Sequence, residues 1–237
     1  MSMGHLSFSR YLDTIANFLI QIPFFSACFR GKLIRLLLNN PKGTIVIEHG
    51  VKLFGLRNIE VRGNIVLQKN TVIDATNGYV SLGPEFNAFP NTTILAMSGK
   101  FITKDHVWTA RDVDIYCAGG EIILGNNFSL NQRSLLHAGH SSISIGDDCL
   151  LGYDVKIFCG VHDHGAADTL LREAGMRFLP VIVGDDVWIA SNVLINPGVA
   201  IGSHCVIGAY SVVLDDIPDY SFCAGIPARV KKSRIIL

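Results

Sequence analysis

From Val183 to Val213 an aliphatic side chain returns at every sixth position: Val183, Ile189, Ile195, Ile201, Ile207 and Val213. A small residue follows four of them (Gly184, Ala190, Gly202, Gly208), and a second series, Val187, Val193, Val199, Cys205 and Ser211, follows the first five at four residues' distance. A period of six fits neither the helical repeat of about 3.6 nor the strand repeat of about 2. Short internal repeats instead imply stacked coils, each turn burying its neighbour's open face. An ordinary β-sandwich gives no reason for strict hexads.

The same phrase recurs upstream with looser spacing. Aligned on the aliphatic before a small or polar residue, it falls at Ile47, Leu67, Leu82, Ile102, Leu124, Ile145, Val183 and Ile201, at intervals of 20, 15, 20, 22, 21, 38 and 18 residues. A triangular coil of three hexads takes about 18 residues. Most intervals therefore read as one coil with small insertions, and the interval of 38 places an excursion at roughly Phe158 to Pro180. Alternating segments such as Ile143-Ser144-Ile145 predict short strands. Corner residues such as Gly125-Asn126-Asn127, Gly146-Asp147-Asp148 and Gly184-Asp185-Asp186 accept the tight or left-handed backbone that a bend demands. The division that follows is a helical cap or membrane-proximal segment at 1–40, a solenoid at 41–225 with a loop at 158–182, and a basic tail at 226–237.

The first forty residues are rich in Leu, Ile and Phe, but Asp13, Asn17, Gln21, Pro23, Arg30, Lys32 and Arg35 interrupt them. The stretch lacks the roughly 20 uninterrupted apolar residues of a bilayer span, and it lacks a signal peptide's basic start and small-residue cleavage site. Two helices are expected, Ser9–Ile22 and Phe25–Leu38, divided at Pro23. They would cap the first open coil. The competing reading is an amphipathic element over residues 9–38 in peripheral contact with the inner membrane, with Phe24, Phe25, Phe29, Arg30, Lys32 and Arg35 at the interface.

Composition narrows the class. Hydrophobic residues at 49% and charged residues at 17% suit a packed interior and argue against disorder. A formal net charge of +0 offers no broad basic surface for nucleic acid. The six cysteines form no CxxC pair, and a reduced, cytoplasmic setting is the simplest expectation. Cys149 and Cys205 stand at inward repeat positions, as small hydrophobes.

Candidate chemistry concentrates in the excursion, which carries Val161-His162-Asp163-His164-Gly165. An imidazole titrates near neutrality and can take a proton from an attacking hydroxyl; solvent-facing loop histidines are the alternative. With His137 and His140 a metal site is conceivable, but no Cys or acidic ligand pattern accompanies them, and no metal is expected. No GxSxG elbow surrounds a serine. The C-terminal Gly225-Ile226-Pro227-Ala228-Arg229-Val230-Lys231-Lys232 could hold phosphate or simply be a solvated basic terminus.

Taken together, Val183-Gly184-Asp185-Asp186-Val187-Trp188-Ile189, INPGVAIGSHCVIGAYSVV and AGIPARV resemble the hexapeptide-repeat acetyltransferases, in the sugar and polysaccharide O-acetyltransferase branch, over about Leu124 to Lys232. The resemblance implies an all-β fold, a left-handed parallel β-helix, here with an N-terminal α-helical segment. That handedness runs against the usual right-handed crossover. It implies a homotrimer using acetyl-CoA as co-substrate, with His162 as catalytic base, His164 as fallback, and Asn131 orienting the acceptor. For CoA it implies Ala190 and Ser191, the Gly208-Ala209 step on the pantetheine arm, Trp188 lining the groove, and Lys232 with Arg229 and Lys231 at the nucleotide phosphates. Relatives commonly carry a lysine where this chain has Asp215, and an acidic residue where it has Val161. The expected activity is O-acetylation of a sugar hydroxyl, on a surface polysaccharide or its lipid-linked precursor. N-acetylation of a nucleotide-linked amino sugar, or a silent trimeric scaffold, are the competing readings.

Overall fold

The computed structural model describes residues 3–164 and 168–234. Residues 165–167 of the excursion and 235–237 of the tail lie outside the described residues. The chain winds as a triangular parallel β-solenoid whose three faces are sheets of ten, eight and seven strands. Each coil contributes one strand to each face in turn, as in Ile45–Ile47, Lys52–Phe54 and Ile59–Val61. The aliphatics of the hexad series all point inward and are buried. The corner residues behave as expected: Asn127, Asp148 and Asp186 hold positive φ. Their neighbours tie coil to coil, with Asp147 accepting from Asn126 N at 2.9 Å and Asp185 from Asp147 N at 2.7 Å.

The upstream register differs from the sequence alignment. On the third face Val61, Leu82, Thr103, Leu124 and Ile145 stack at intervals of 21 residues. Ile102 thus points outward, and Thr103 fills the inward place, its Oγ1 accepting from Gly83 N at 2.9 Å. Ile47 and Leu67 belong to the first face and not the third, which is why the interval to Leu82 is short. Spacing alone cannot tell one face of a prism from another. Coils of 18 residues begin only at Val183.

The interval of 38 does hold the excursion. Gly160–His162 and Met176–Phe178 form an antiparallel ladder that leaves the prism between its second and third faces. Phe178 lies over the base of this hairpin, where a Cβ on Gly139 would stand 2.5 Å from its ring.

The N-terminal helices are α1 (Met3–Gln21) and α2 (Ala27–Arg35). Pro23 divides them, as expected, but α1 starts earlier than Ser9 and α2 later than Phe25, because Ser26 caps its first turn by accepting from Phe29 N. The polar residues that interrupt α1 have a purpose. Asp13, Asn17 and Gln21 lie one helical turn apart and reach the exposed rim of the first coil. Asp13 accepts from Gly55 N and Leu56 N, Asn17 exchanges two bonds with Leu53, and Gln21 donates to Val51 O. Arg30, expected at an outer interface, is instead buried and donates to Ile22 O at 3.1 Å.

Candidate active site

The solenoid sorts the candidate residues onto edges. After each first-face strand the chain turns a corner, and these corners stack in register: Asn131, then Gly152, Ala190 and Gly208. The stack is continuous, each residue's amide donating to the next coil, from Asn131 N to Leu151 O (3.0 Å) down to Gly208 N to Cys223 O (2.7 Å). Asn131 and Ala190 are two coils apart, about 10 Å along the axis. One edge therefore carries the expected acceptor residue and the expected CoA residues Ala190, Ser191, Gly208 and Ala209.

Their groups are partly committed. Asn131 Nδ2 donates to Leu151 O at 2.9 Å, which leaves its side-chain oxygen able to accept a further bond. Ser191 Oγ accepts from Tyr153 N at 3.2 Å. The Gly208 amide is spent on the ladder, so the free donor of that step is Ala209 N, which has no carbonyl partner among the described residues. Trp188 stands on the outer surface of the first face, 52% exposed, in a column running from Leu150 through Val206 and Phe222.

The basic segment is not a free tail over its described part. Arg229–Ser233 pairs antiparallel with Ser221–Ala224 and closes the end of the first face. Arg229 Nη1 bonds Asp215 Oδ2 at 2.7 Å. Asp215, the departure noted in the sequence, thus occupies one expected phosphate ligand. Lys232 lies with its Nζ 5.7 Å from the Phe222 ring, and Lys231 is exposed.

His162 lies elsewhere. It ends the outgoing strand of the hairpin, exposed and opposite Met176, on the edge between the second and third faces. Asp163 N is tied to Gly175 O at 3.1 Å, and His164 is exposed beyond it. A face of about six residues spans roughly 15 to 20 Å, so within one protomer the imidazole and Asn131 occupy opposite edges of the second face. His137 sits on that face between Tyr116 and Phe158, at ring distances of 6.1 and 6.5 Å. His140 is at the corner, edge-on to Phe178 at 5.0 Å, and lines a cleft of about 420 Å³ with Ser141, Ser142 and Pro180. Among the described residues no group of three or more His, Cys, Asp or Glu could hold a metal ion. Phe178 and the glycines beneath it left no mark in the hexads, because the excursion has no repeat to break.

Five of the six thiols are buried and structural, and Cys28 is exposed. Burial pushes Cys117 up to about 12 and Cys149 and Cys159 up to about 11, and Cys149 Sγ donates to Gly184 O at 3.1 Å.

The bacterial transferase hexapeptide (six repeats) family model matches residues 180–215, and the hexapeptide repeat of succinyl-transferase matches residues 142–162. The chain is 36% identical over 126 residues to the galactoside O-acetyltransferase of Escherichia coli, a match covering 53% of this chain and 60% of that protein. It is 34% identical over 122 residues to a candidate lipopolysaccharide biosynthesis O-acetyl transferase of the same species, covering 48% and 61%. The chain thus spans less than two-thirds of these curated relatives. A UDP-N-acetylglucosamine acyltransferase structure from Bacteroides fragilis aligns with a TM-score of 0.57 at 19% identity, over 83% of this chain and 72% of that one. That likeness is one of fold, and the fold is the left-handed parallel β-helix expected from the sequence.

Proposed function

We infer that this chain, similar along its hexapeptide repeats to sugar O-acetyltransferases, transfers an acetyl group from acetyl-CoA to a sugar hydroxyl. The observation that carries this reading is the edge on which Asn131, Ser191 and the Gly208-Ala209 step stack in register. A donor arm laid along that edge meets Ala209 N, passes Ser191, and delivers its thioester toward the coil that carries Asn131. Trp188 walls the groove. With Arg229 held by Asp215, Lys231 and Lys232 supply the charge for the nucleotide phosphates.

The site is incomplete in one protomer, since His162 stands a full face away from Asn131. Parallel prisms in a cyclic trimer bring the second–third edge of one copy against the first–second edge of the next, and so complete it. His162 then takes the proton of the sugar hydroxyl as its oxygen attacks the thioester carbonyl. The new C–O bond forms, the C–S bond breaks, and the imidazolium returns its proton to the departing CoA thiolate. Backbone amides at the edge face the oxyanion, where electrostatic stabilisation contributes most. The sugar belongs to a surface polysaccharide or its precursor, in keeping with the relative named for lipopolysaccharide biosynthesis.

The test uses candidate glycans incubated with acetyl-CoA and weighed by mass spectrometry. The expected product carries one added acetyl group, removable by mild base as an ester; a base-stable adduct identifies N-acylation instead. His162→Ala should keep its fold and CoA binding while kcat falls by roughly 10² to 10⁴. Co-refolding His162→Ala with Asn131→Ala chains in equal amounts should return about a quarter of the sites to a wild-type pair if neighbours share the site. No recovery would place both residues in one chain's site, and absence of CoA binding by calorimetry would leave a scaffold.

A further inference from the structure

Helices α1 and α2 turn one side to the solenoid and leave the other open. The inner side is fixed by the fully buried Ala16, Ile20 and Ile34 and by the polar stripe of Asp13, Asn17 and Gln21. The outer side is unusual for a protein surface. Phe24, at the bend between the helices, is 94% exposed, Leu36 80%, Phe18 69% and Tyr11 63%. On α2 and its C-cap Leu36 the exposed positions 28, 29, 32, 35 and 36 form one stripe. The cations Arg10, Lys32 and Arg35 lie among these apolar groups, all exposed, and Arg35 also donates through Nη1 to Gly43 O, which holds it at the edge of the face. Between Arg10 and Leu36 the sequence holds a single acidic residue, Asp13, and it is buried against the first coil. The outer face therefore combines apolar side chains with positive charge and no carboxylate.

We propose that this face docks the protein onto an anionic lipid surface, with Tyr11, Phe18, Phe24 and Leu36 at the headgroup boundary and Arg10, Lys32 and Arg35 against the headgroups. Such a mixture of aromatic and basic residues suits a helix lying in the plane of the interface, and each cation near an anionic surface raises the partition coefficient about fivefold. Neither helix is long and apolar enough to cross a membrane, so the contact is peripheral. A second copy fits the face poorly. An isologous contact through this patch would set like charges against one another with no carboxylate to offset them. Phe24 also projects from a bend, a shape that enters a soft interface more readily than a flat one. The docking is independent of the transfer chemistry, and its failure would leave that reading untouched.

The experiment is flotation of the full chain with vesicles of phosphatidylcholine alone or with about 30% phosphatidylglycerol. The protein should float with the anionic vesicles and be released by salt as the attraction is screened. Arg10→Glu with Lys32→Glu should lower the partition coefficient at least about 30-fold. Phe24→Ser, at a site too exposed to affect folding, should lower it about fivefold to tenfold. Circular dichroism and CoA binding, unchanged, would show the variants intact. Absence of binding to anionic vesicles at low salt would overturn the proposal, as would equal binding to neutral vesicles that ignores charge reversal. Concentration-dependent association of the chain, lost in Phe24→Ser without any vesicle binding, would assign the face to a second copy instead.

Discussion

Replacing Asn17 by alanine should open the N-terminal end of the solenoid. The Asn17 carboxamide donates to Leu53 O at 2.9 Å and accepts from Leu53 N at 2.8 Å. It stands in for a neighbouring strand, since Lys52–Phe54 is the end strand of its sheet among the described residues. Alanine leaves both backbone groups without partners at a half-buried seam. A polar group stranded in this way costs about 1–3 kcal/mol, and partial access of water puts the pair at about 2–4 kcal/mol. Asp13 and Gln21 keep their bonds to Gly55, Leu56 and Val51, so α1 stays docked and the loss is confined to its middle turn. For a chain of this size the melting temperature should fall by about 5–12 °C. Thermal melts by circular dichroism, with hydrogen exchange read at the Leu53 amide, measure both consequences. Asn17→Asp keeps the acceptor and loses the donor, so it should cost about half as much. An unaltered melt with a still-protected Leu53 amide in Asn17→Ala would refute the idea that a side chain completes the sheet.

Other consequences follow from the corners, the thiols and the hairpin. Asp147 is held below the usual carboxylate range by the Asn126 amides and Lys104, and Asp154 by Arg133. Depressed carboxylates contribute stability above their unfolded pKa and lose it as pH falls through the folded one. Urea melts should therefore show stability declining below about pH 4, and Asp147→Asn should flatten that decline; an identical acid slope would count against the corner ladder. A maleimide at neutral pH should label exposed Cys28 quickly and the five buried cysteines only on unfolding, as read by intact mass. Phe178→Ala strips the ring from Gly139, Gly160 and His140. It should lower kcat about tenfold to a hundredfold by letting the hairpin wander, with little change in melting temperature; unchanged turnover would mean the hairpin does not position His162.

Much of this was legible from the chain itself because a solenoid is a local structure. Whether a residue faces inward is set by its place in the hexad, and Val183 to Val213 announce that place without knowledge of any neighbour. The left-handed corners at Asn127, Asp148 and Asp186 are equally local, whereas Gly125, Gly146 and Gly184 are small because the next coil stands where their Cβ would be. The excursion betrayed itself by breaking the spacing. The identity of the face was not legible: Ile102 and Thr103 are equally plausible in a strand, and only pairing with Leu124 shows which one is buried.

What the tertiary structure decided is the set of contacts between residues far apart in sequence. The polar interruptions Asp13, Asn17 and Gln21 acquire meaning only against a rim some 30 to 43 residues later. Arg30 turns inward and Arg229 is claimed by Asp215 through encounters that no periodicity encodes. The sequence motifs point to both His162 and Asn131, yet only the winding of the coils places them on opposite edges. Repetition fixes each residue's direction relative to the axis, whereas the angle around that axis accumulates over every corner in between, and so it emerges only once the whole chain is wound.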